Sequence, residues 1–309
     1  MNAPRLSVLT SVYKGEPFLA AYCVELEKQT LFPELEIIFV CNEPSVNERK
    51  LVNSFWDNYP DQVQLLEVPR ETLGASWNRA WAAARAPLLA IWNIDDRRLP
   101  DSLERQIGAM RGSKAVLCYG DYMLVKKYGT EEGLVRKTPE YHSGHFSRAY
   151  AQGGPFWIFR RELGDKIGYF DEQFRVAADM DLSFRIAANQ LPMGRVDGVL
   201  GYFTDAQQGL STHAGGQEAI LERTAIQLRY GIFDKVRRDL LPAVEHFRLA
   251  EFQNFGQWRP VTEVLPSYGA FLRMRKPLWL LGHARTMMRS LLARVGLLSW
   301  LHKKLGREL

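Results

Sequence analysis

Short apolar stretches recur along the first part of the chain, each closed by a polar or glycine-bearing turn and followed by a helix-spaced run. Arg5–Val12 predicts a strand that Tyr13-Lys14-Gly15-Glu16-Pro17 breaks. Phe18–Thr30 places Phe18, Leu19, Tyr22, Leu26 and Gln29 near helical spacing. Leu35–Val40 predicts a second strand ending in Cys41-Asn42-Glu43-Pro44-Ser45, and 47–59 a second helix. Val63–Val68 alternates in part, as a third strand would, and Leu73–Arg85 predicts a third helix stopped before Pro87. Leu88–Trp92 is a continuous apolar run, the pattern of a strand buried on both faces, and it enters the polar cluster Asn93-Ile94-Asp95-Asp96. Ala115–Asp121 reads as a further strand ending in an acid. Strands alternating with helices predict an α/β fold: a mostly parallel sheet with right-handed crossovers, flanked by helices.

The later chain is patterned differently. Residues 126–152 are polar and irregular, the pattern of a long loop, and contain His142 and His145. Gly153-Gly154-Pro155 predicts a turn to which another group can come close. Leu182, Ile186 and Ala187 continue helically from Ala177-Ala178-Asp179. Residues 217–260 read as helical, with a broad apolar pattern from Ile220 to Tyr230. At about 100° per residue, Leu280, Ala284, Met287, Met288, Leu291, Val295 and Leu298 share one face. Three segments follow: 1–215 as the main domain, 216–272 as a helical C-terminal extension, and 273–309 as a basic amphipathic tail.

Composition sharpens this division. With 309 residues, 46% hydrophobic and 24% charged, the chain has ample material for one large core or two smaller ones. The net charge of +5 is concentrated in the tail, where nine Lys/Arg face the single acid Glu308. Arg285, Arg289 and Arg294 edge the apolar face, and Trp279 and Trp300 lie near its ends. That layout suits peripheral contact with an anionic membrane, or a helix packed on its own domain or on a second subunit. Nucleic acid is not expected, because the basic residues border an apolar face rather than forming a polar stripe. Cys23, Cys41 and Cys118 are scattered, odd in number and without metal spacing, which points to a reducing compartment. No apolar run is long enough to span a bilayer and no leader layout precedes Leu6, so a cytoplasmic protein, peripheral at the inner face of the cell membrane, is expected.

Several residues are chemically suggestive, and each has an ordinary structural explanation beside it. Ligands in open α/β sheets sit outside the carboxyl ends of the strands, where Asn93, Asp95 and Asp96 would lie. Adjacent carboxylates repel unless solvent or a hard cation relieves them, and Mg²⁺ or Mn²⁺ suits such oxygens. The same acids also suit the helix start near Pro100-Asp101. Gly74 and Asn78 fall at the start of the third helix, where backbone N–H groups can meet an anion or a glycine can simply turn the chain. Trp157 can stack on a flat sugar face or fill core. His142 and His145 lack the helix or cysteine partners of a metal site. Asp179 is at a helix start, where acids are ordinarily stabilised.

These pieces occur together and in one order: Ser-Val-Tyr-x-Gly-Glu-x-Phe-Leu at 11–19, Gln29, Gly74 with Asn78, and Asp95-Asp96 before Pro100. Gly-Asp at 120–121, Gly153-Gly154 with Phe159-Arg160-Arg161, Gly-x-Phe-Asp-Glu at 168–172 and Asp-x-Asp-Leu-x-x-Arg at 179–185 follow. Over roughly residues 5–215 the chain resembles the family 2 inverting, nucleotide-sugar-dependent glycosyltransferases, which have the GT-A fold, a Rossmann-like sheet flanked by helices. The resemblance implies that Ser11, Tyr13 and Glu16 line a nucleotide pocket and that Asn42 faces the base. It implies that Gly74 and Asn78 sit near ribose and phosphates, and that Asn93 and Asp95 meet the donor. Asp95 and Asp96 would hold Mg²⁺ or Mn²⁺, with His213 where some members carry a third ligand. Asp179 matches the base that deprotonates an acceptor hydroxyl, with Trp157 and Asp121 on the acceptor side. The implied partners are a nucleotide sugar and a saccharide or lipid-linked acceptor.

The sequence departs from the family pattern at three places. Cys41-Asn42 stand where two acids are usual, Asn93 opens the metal motif in place of Asp, and Ala178 precedes the base where Glu is frequent. These changes keep a rival in view, a non-catalytic relative within a polysaccharide-assembly complex. A nucleotidyltransferase is a second rival, but Tyr13-Lys14-Gly15-Glu16 is a poor version of its glycine-rich basic loop.

Overall fold

The structure, a computed structural model, describes residues 3–142, 155–205, 216–232, 236–266 and 268–269. Its first half is the alternation expected: β1 (Leu6–Val12), α1 (Glu16–Glu27), β2 (Leu35–Asn42), α2 (Val46–Asn58), β3 (Val63–Val68), α3 (Leu73–Ala83) and β4 (Leu88–Ile91). Local chemistry sets the boundaries. Pro17 lies in the first turn of α1, where its missing N–H costs nothing. Ser45 and Glu48 form a reciprocal capping box on α2, and the Thr72 hydroxyl accepts the Ala75 N–H at 3.2 Å to cap α3.

There follow β5 (Arg97–Arg98), α4 (Ser102–Met110), β6 (Leu117–Val125), β7 (Leu134–Arg136), β8 (Ile158–Arg160), α5 (Leu163–Ile167), α6 (Ala178–Ala188) and β9 (Met193–Thr204). The sheet order is β3-β2-β1-β4-β8-β6-β9-β5, with β7 paired to β6. The β3-β2-β1-β4 half is parallel, with Leu6 between Leu35 and Leu88 in register. The other half is mixed, so the expected mostly parallel sheet holds approximately. β8 runs antiparallel to both β4 and β6, β6 and β9 are parallel, and β5 is antiparallel to β9.

Period-2 alternation divides the core into two layers. Ile37, Phe39 and Cys41 of β2 join β1 residues Leu6 and Val8 beneath Leu19, Tyr22, Val52, Phe55 and Leu103 from α1, α2 and α4. Ile38 and Val40 point the other way, with Leu9, into Trp77, Ala80 and Trp81 of α3 and Met180 and Leu182 of α6.

The stretch 217–260, read as helical, is not one helix. It holds α7 (Gln217–Arg229), a 3-10 segment (Arg238–Val244) and the hairpin β10 (Glu251–Asn254) and β11 (Gln257–Pro260). Gly231 at φ 66° follows α7, and Phe255-Gly256 at φ 52° and 74° makes the tight turn that a two-residue hairpin needs. Ala225, Ile226 and Tyr230 share the Leu9 core layer, so this stretch packs directly on the sheet's own core. Among the described residues no helix is long and apolar enough to cross a membrane. His145, Gly153-Gly154, His213 and the tail 273–309 lie outside the described residues.

Candidate active site

The carboxyl ends of β1, β2 and β4 converge on the loops that carry the expected donor-side residues. After β1, Lys14 takes φ 50°, and the buried Gly15 N–H donates to Glu48. A Cβ on Gly15 would overlap the Ile94 side chain, so this glycine lets the 93–96 turn close against the start of α1. Glu16 accepts from the Ser45 hydroxyl and from Asn47 at 3.3 Å, and these bonds hold its carboxyl below the ordinary value. Glu16 therefore ties the starts of α1 and α2 into one wall. The Tyr13 ring is stacked by the Arg70 guanidinium, 3.5 Å from its centroid.

Asn42, Gly74 and Asn78 shape that wall from inside. The Asn42 amide donates to the Glu71 carbonyl at 3.0 Å and the Ser76 hydroxyl at 3.2 Å, and accepts the Glu71 N–H at 3.0 Å. Asn78 donates to the Phe170 carbonyl and to Glu172, each at 2.8 Å, and accepts the Phe170 N–H at 2.9 Å. Both amides are buried and engaged within the protein, clamping the loops 71–76 and 168–172. A Cβ on Gly74 would stand 3.3 Å from that of Ala178. The start of α3 is thus packed against the residue preceding Asp179.

The 93–96 turn follows β4. Asp96 is buried, its N–H donates to the Asn93 carbonyl at 3.1 Å, and its carboxylate accepts the Thr204 N–H at 3.2 Å. Asp95 is half-buried. Burial raises both carboxyls above the ordinary value, and the Asp95 charge raises Asp96 further. Nearby, the Tyr128 hydroxyl and one Arg97 nitrogen are buried without a hydrogen-bond partner among the described residues. Tyr128 feels the charges of both Asp95 and Asp96. Two crowded carboxylates with Asn93 make a hard-oxygen set, and orphaned donors beside them suit an incoming anion. Among the described residues no three His, Cys, Asp or Glu side chains gather around one cation position. The set fits Mg²⁺ or Mn²⁺ shared with phosphate oxygens and water, the usual coordination where substrate supplies ligands.

Asp179 lies in the first turn of α6 and accepts the Met180 N–H at 2.7 Å. A helix start favours the charged form, but burial outweighs it and pushes the Asp179 carboxyl up to about 6. Below it sits a buried ion network. Arg229 of α7 donates to Asp171 at 2.8 Å and to Asp181 at 2.6 Å, and Arg185 donates to Asp181 at 2.8 Å. Tyr230 adds a 3.0 Å bond to Asp181, and Arg185 also holds the carbonyls of Ile167 and Tyr169. Glu172 accepts the N–H groups of Phe255 and Gly256 at 2.7 and 2.9 Å, fastening the β10–β11 turn to the same loop.

The two expected acceptor-side residues are inside the protein. Trp157 is 3% exposed within the core, its indole N–H without a partner among the described residues. Asp121 is fully buried at a bulge in β6, where it accepts from Lys137 and Arg195 at 2.8 Å and from the Thr138 N–H at 2.9 Å. Burial would raise its carboxyl, but these partners bring it down to about 2. Its acceptor capacity is taken up by Lys137, Thr138 and Arg195, which anchors the 137–138 loop.

A sequence profile of glycosyl transferase family 2 matches residues 7–169, more than half of the chain. The chain belongs to this family. Solved structures of similar fold include a fragment of S. aureus TarS, residues 1–349, in complex with UDP-GlcNAc. That match has a TM-score of 0.58 and 18% identity over 72% of this chain, and spans just under two-thirds (66%) of the TarS fragment. The Pyrobaculum calidifontis mannosyltransferase PcManGT, in complex with GDP-Man and Mn²⁺, matches with a TM-score of 0.56 and 16% identity over 97% of this chain and 86% of its own. These likenesses establish a GT-A-type fold. No curated protein matches the sequence significantly.

As a family 2 glycosyltransferase the chain brings Tyr13, Glu16, Asn42, Gly74 and Asn78 into one wall, with Asn93, Asp95 and Asp96 beside it. The Gly74–Ala178 contact joins that wall to Asp179. Sequence reasoning did not single out Tyr128 and Arg97 near the acidic pair, Arg229 against the helix that carries Asp179, or Glu222 of α7. Glu222 had one available signal, as an acid inside the apolar pattern of 220–230.

Proposed function

We propose that this family 2 glycosyltransferase moves a sugar from a nucleoside-diphosphate sugar to an acceptor hydroxyl with inversion, using Asp179 as general base. The observation that carries this reading is the position and acidity of Asp179. It is half-buried, raised to about 6, and linked through Ala178 and Gly74 to the helix start that flanks the donor wall. A base of that strength is charged at neutral pH and still able to take a proton. The acceptor oxygen attacks the anomeric carbon as Asp179 accepts its proton. The carbon–oxygen bond to the diphosphate breaks, and its electron pair leaves on the phosphate oxygen. One displacement with no covalent intermediate inverts the anomeric centre, as the corresponding geometry does in glycosidases.

Asp95 and Asp96, with Asn93, would hold Mg²⁺ or Mn²⁺, whose charge would stabilise the leaving diphosphate. Tyr128 and Arg97 carry the unpaired donors suited to phosphate oxygens. UDP-GlcNAc and GDP-Man, bound by the TarS fragment and PcManGT, make a nucleotide sugar the donor class to test here. A saccharide or lipid-linked acceptor is proposed, with the basic 273–309 segment as a peripheral contact to anionic membrane. Asp95, Asp96 and Asp179 together favour this reading over a non-catalytic binding protein.

The test is Asp179→Asn. Nucleoside-diphosphate binding should be retained while sugar transfer falls by roughly 10²-fold or more. In the parent protein the rate should fall as pH drops through about 6, because the protonated acid cannot accept the hydroxyl proton. Near-normal transfer by the variant would remove Asp179 from the role.

A further inference from the structure

The helix that carries Asp179 has no cap of its own. Ala177 stands at its N-cap and supplies no side-chain acceptor. Ala178 is turned onto Gly74 and has no polar group to offer. The N–H groups of Arg175, Val176 and Ala177 instead meet one carboxylate from another helix, that of Glu222 in α7. The distances are 2.8, 2.9 and 2.8 Å. Glu222 is 1% exposed, so this is a buried three-donor cradle rather than a surface contact.

We propose that Glu222 is a positioning residue for the Asp179 base, fixing the 175–177 backbone and through it the aim of the Asp179 carboxylate. This inference rests on Asp179 acting as the base. The backbone at Ala177 is non-helical, at φ −117° and ψ 24°, so the direction of the first turn is set by what holds 175–177 in place. Without Glu222, three N–H groups lose their acceptor, that of Ala177 in a buried place, and the loop must turn to find another. Glu222 also brings negative charge to the positive end of α6. Around this cradle Arg175 pairs with Glu218 at 3.3 Å, and the Arg223 charge reaches Asp179. The ion network of Arg229 with Asp171 and Asp181 holds α7 itself against α6 from about two helical turns further along α7.

A plain helix cap and a positioning residue predict different kinetics. Glu222→Gln keeps the size of the side chain but removes its charge and one acceptor oxygen. If it acts through Asp179, kcat should fall on the order of ten-fold or more, because small displacements of a reacting group are costly. KM for the nucleotide sugar should stay within about twofold, and the same substitution on an Asp179→Asn background should cost less than about twofold more. Glu222→Asp, which keeps the charge but retracts it, should fall between parent and Glu222→Gln. It also serves as the test variant should Glu222→Gln not fold. The proposal is overturned if the folded variant keeps parental kcat while losing only thermal stability. It is also overturned if its loss multiplies in full with that of Asp179→Asn. Parental rates from Asp179→Asn alone would instead overturn the base assignment, so the two failures are distinguishable.

Discussion

At Asp179, burial and the helix dipole pull in opposite directions, and burial prevails. The carboxyl rises from 3.8 to about 6. A raised acid weakens the fold as it ionises: the penalty is absent below pH 4, grows between about 4 and 6, and is complete above. Two units correspond to roughly 3 kcal/mol as an upper limit. Asp179→Asn should therefore unfold at higher temperature than the parent at pH 7 and lose that advantage by pH 4, even as transfer collapses. Equal melting at both pH values would mean that the site is not strained by its base. The candidacy of Asp179 was legible from its motif, and so was that of Asp95 and Asp96. What Asn42, Asn78 and Asp121 do was not legible. Residue type alone does not show whether an amide or carboxylate faces a ligand or binds the protein's own backbone, and all three do the latter.

At the scale of elements, the parallel half of the sheet followed from its pattern, because each strand there is a short apolar or partly alternating run closed by a turn. β9 gave no such pattern. Gly194, Gly198 and Gly201 interrupt it, and its pairing with β6 slips at Asp121. The 217–260 stretch misled for a related reason: the helix-spaced apolar pattern of 220–230 was carried on past Gly231 and Pro242 into a hairpin whose turn is Phe-Gly rather than Asn-Gly. What joins these elements is buried charge. Arg229, Asp171 and Asp181 are fully buried side chains shared by α7, the 168–172 loop and α6. Removing Arg229 leaves Asp171 without a cation in the interior and Asp181 with Arg185 alone. Arg229→Met should lower the free energy of unfolding by about 3–5 kcal/mol in urea titration. A loss under about 1 kcal/mol would show that the network contributes little beyond its own desolvation.

At the scale of the molecule, charge and chemistry are divided along the chain. The acids of the site lie within 1–215, while the basic residues accumulate after Leu272. If 273–309 is a membrane contact, truncation before Lys276 should abolish co-sedimentation with anionic vesicles and leave nucleotide binding intact. Undiminished vesicle binding would place the contact elsewhere. The central claim is that the wall formed by β1, β2 and β4 receives a nucleoside diphosphate with a divalent cation at Asp95 and Asp96. The most direct measurement is the thermal shift given by UDP, GDP, dTDP and CDP, with and without Mn²⁺, in the parent and in Asp95→Ala. A ligand at one hundred times its Kd stabilises the folded state by about 2.7 kcal/mol. The account predicts a shift with one nucleotide, enlarged by Mn²⁺ in the parent and indifferent to Mn²⁺ in Asp95→Ala. No shift with any nucleotide, or the same Mn²⁺ dependence in the variant, would contradict it.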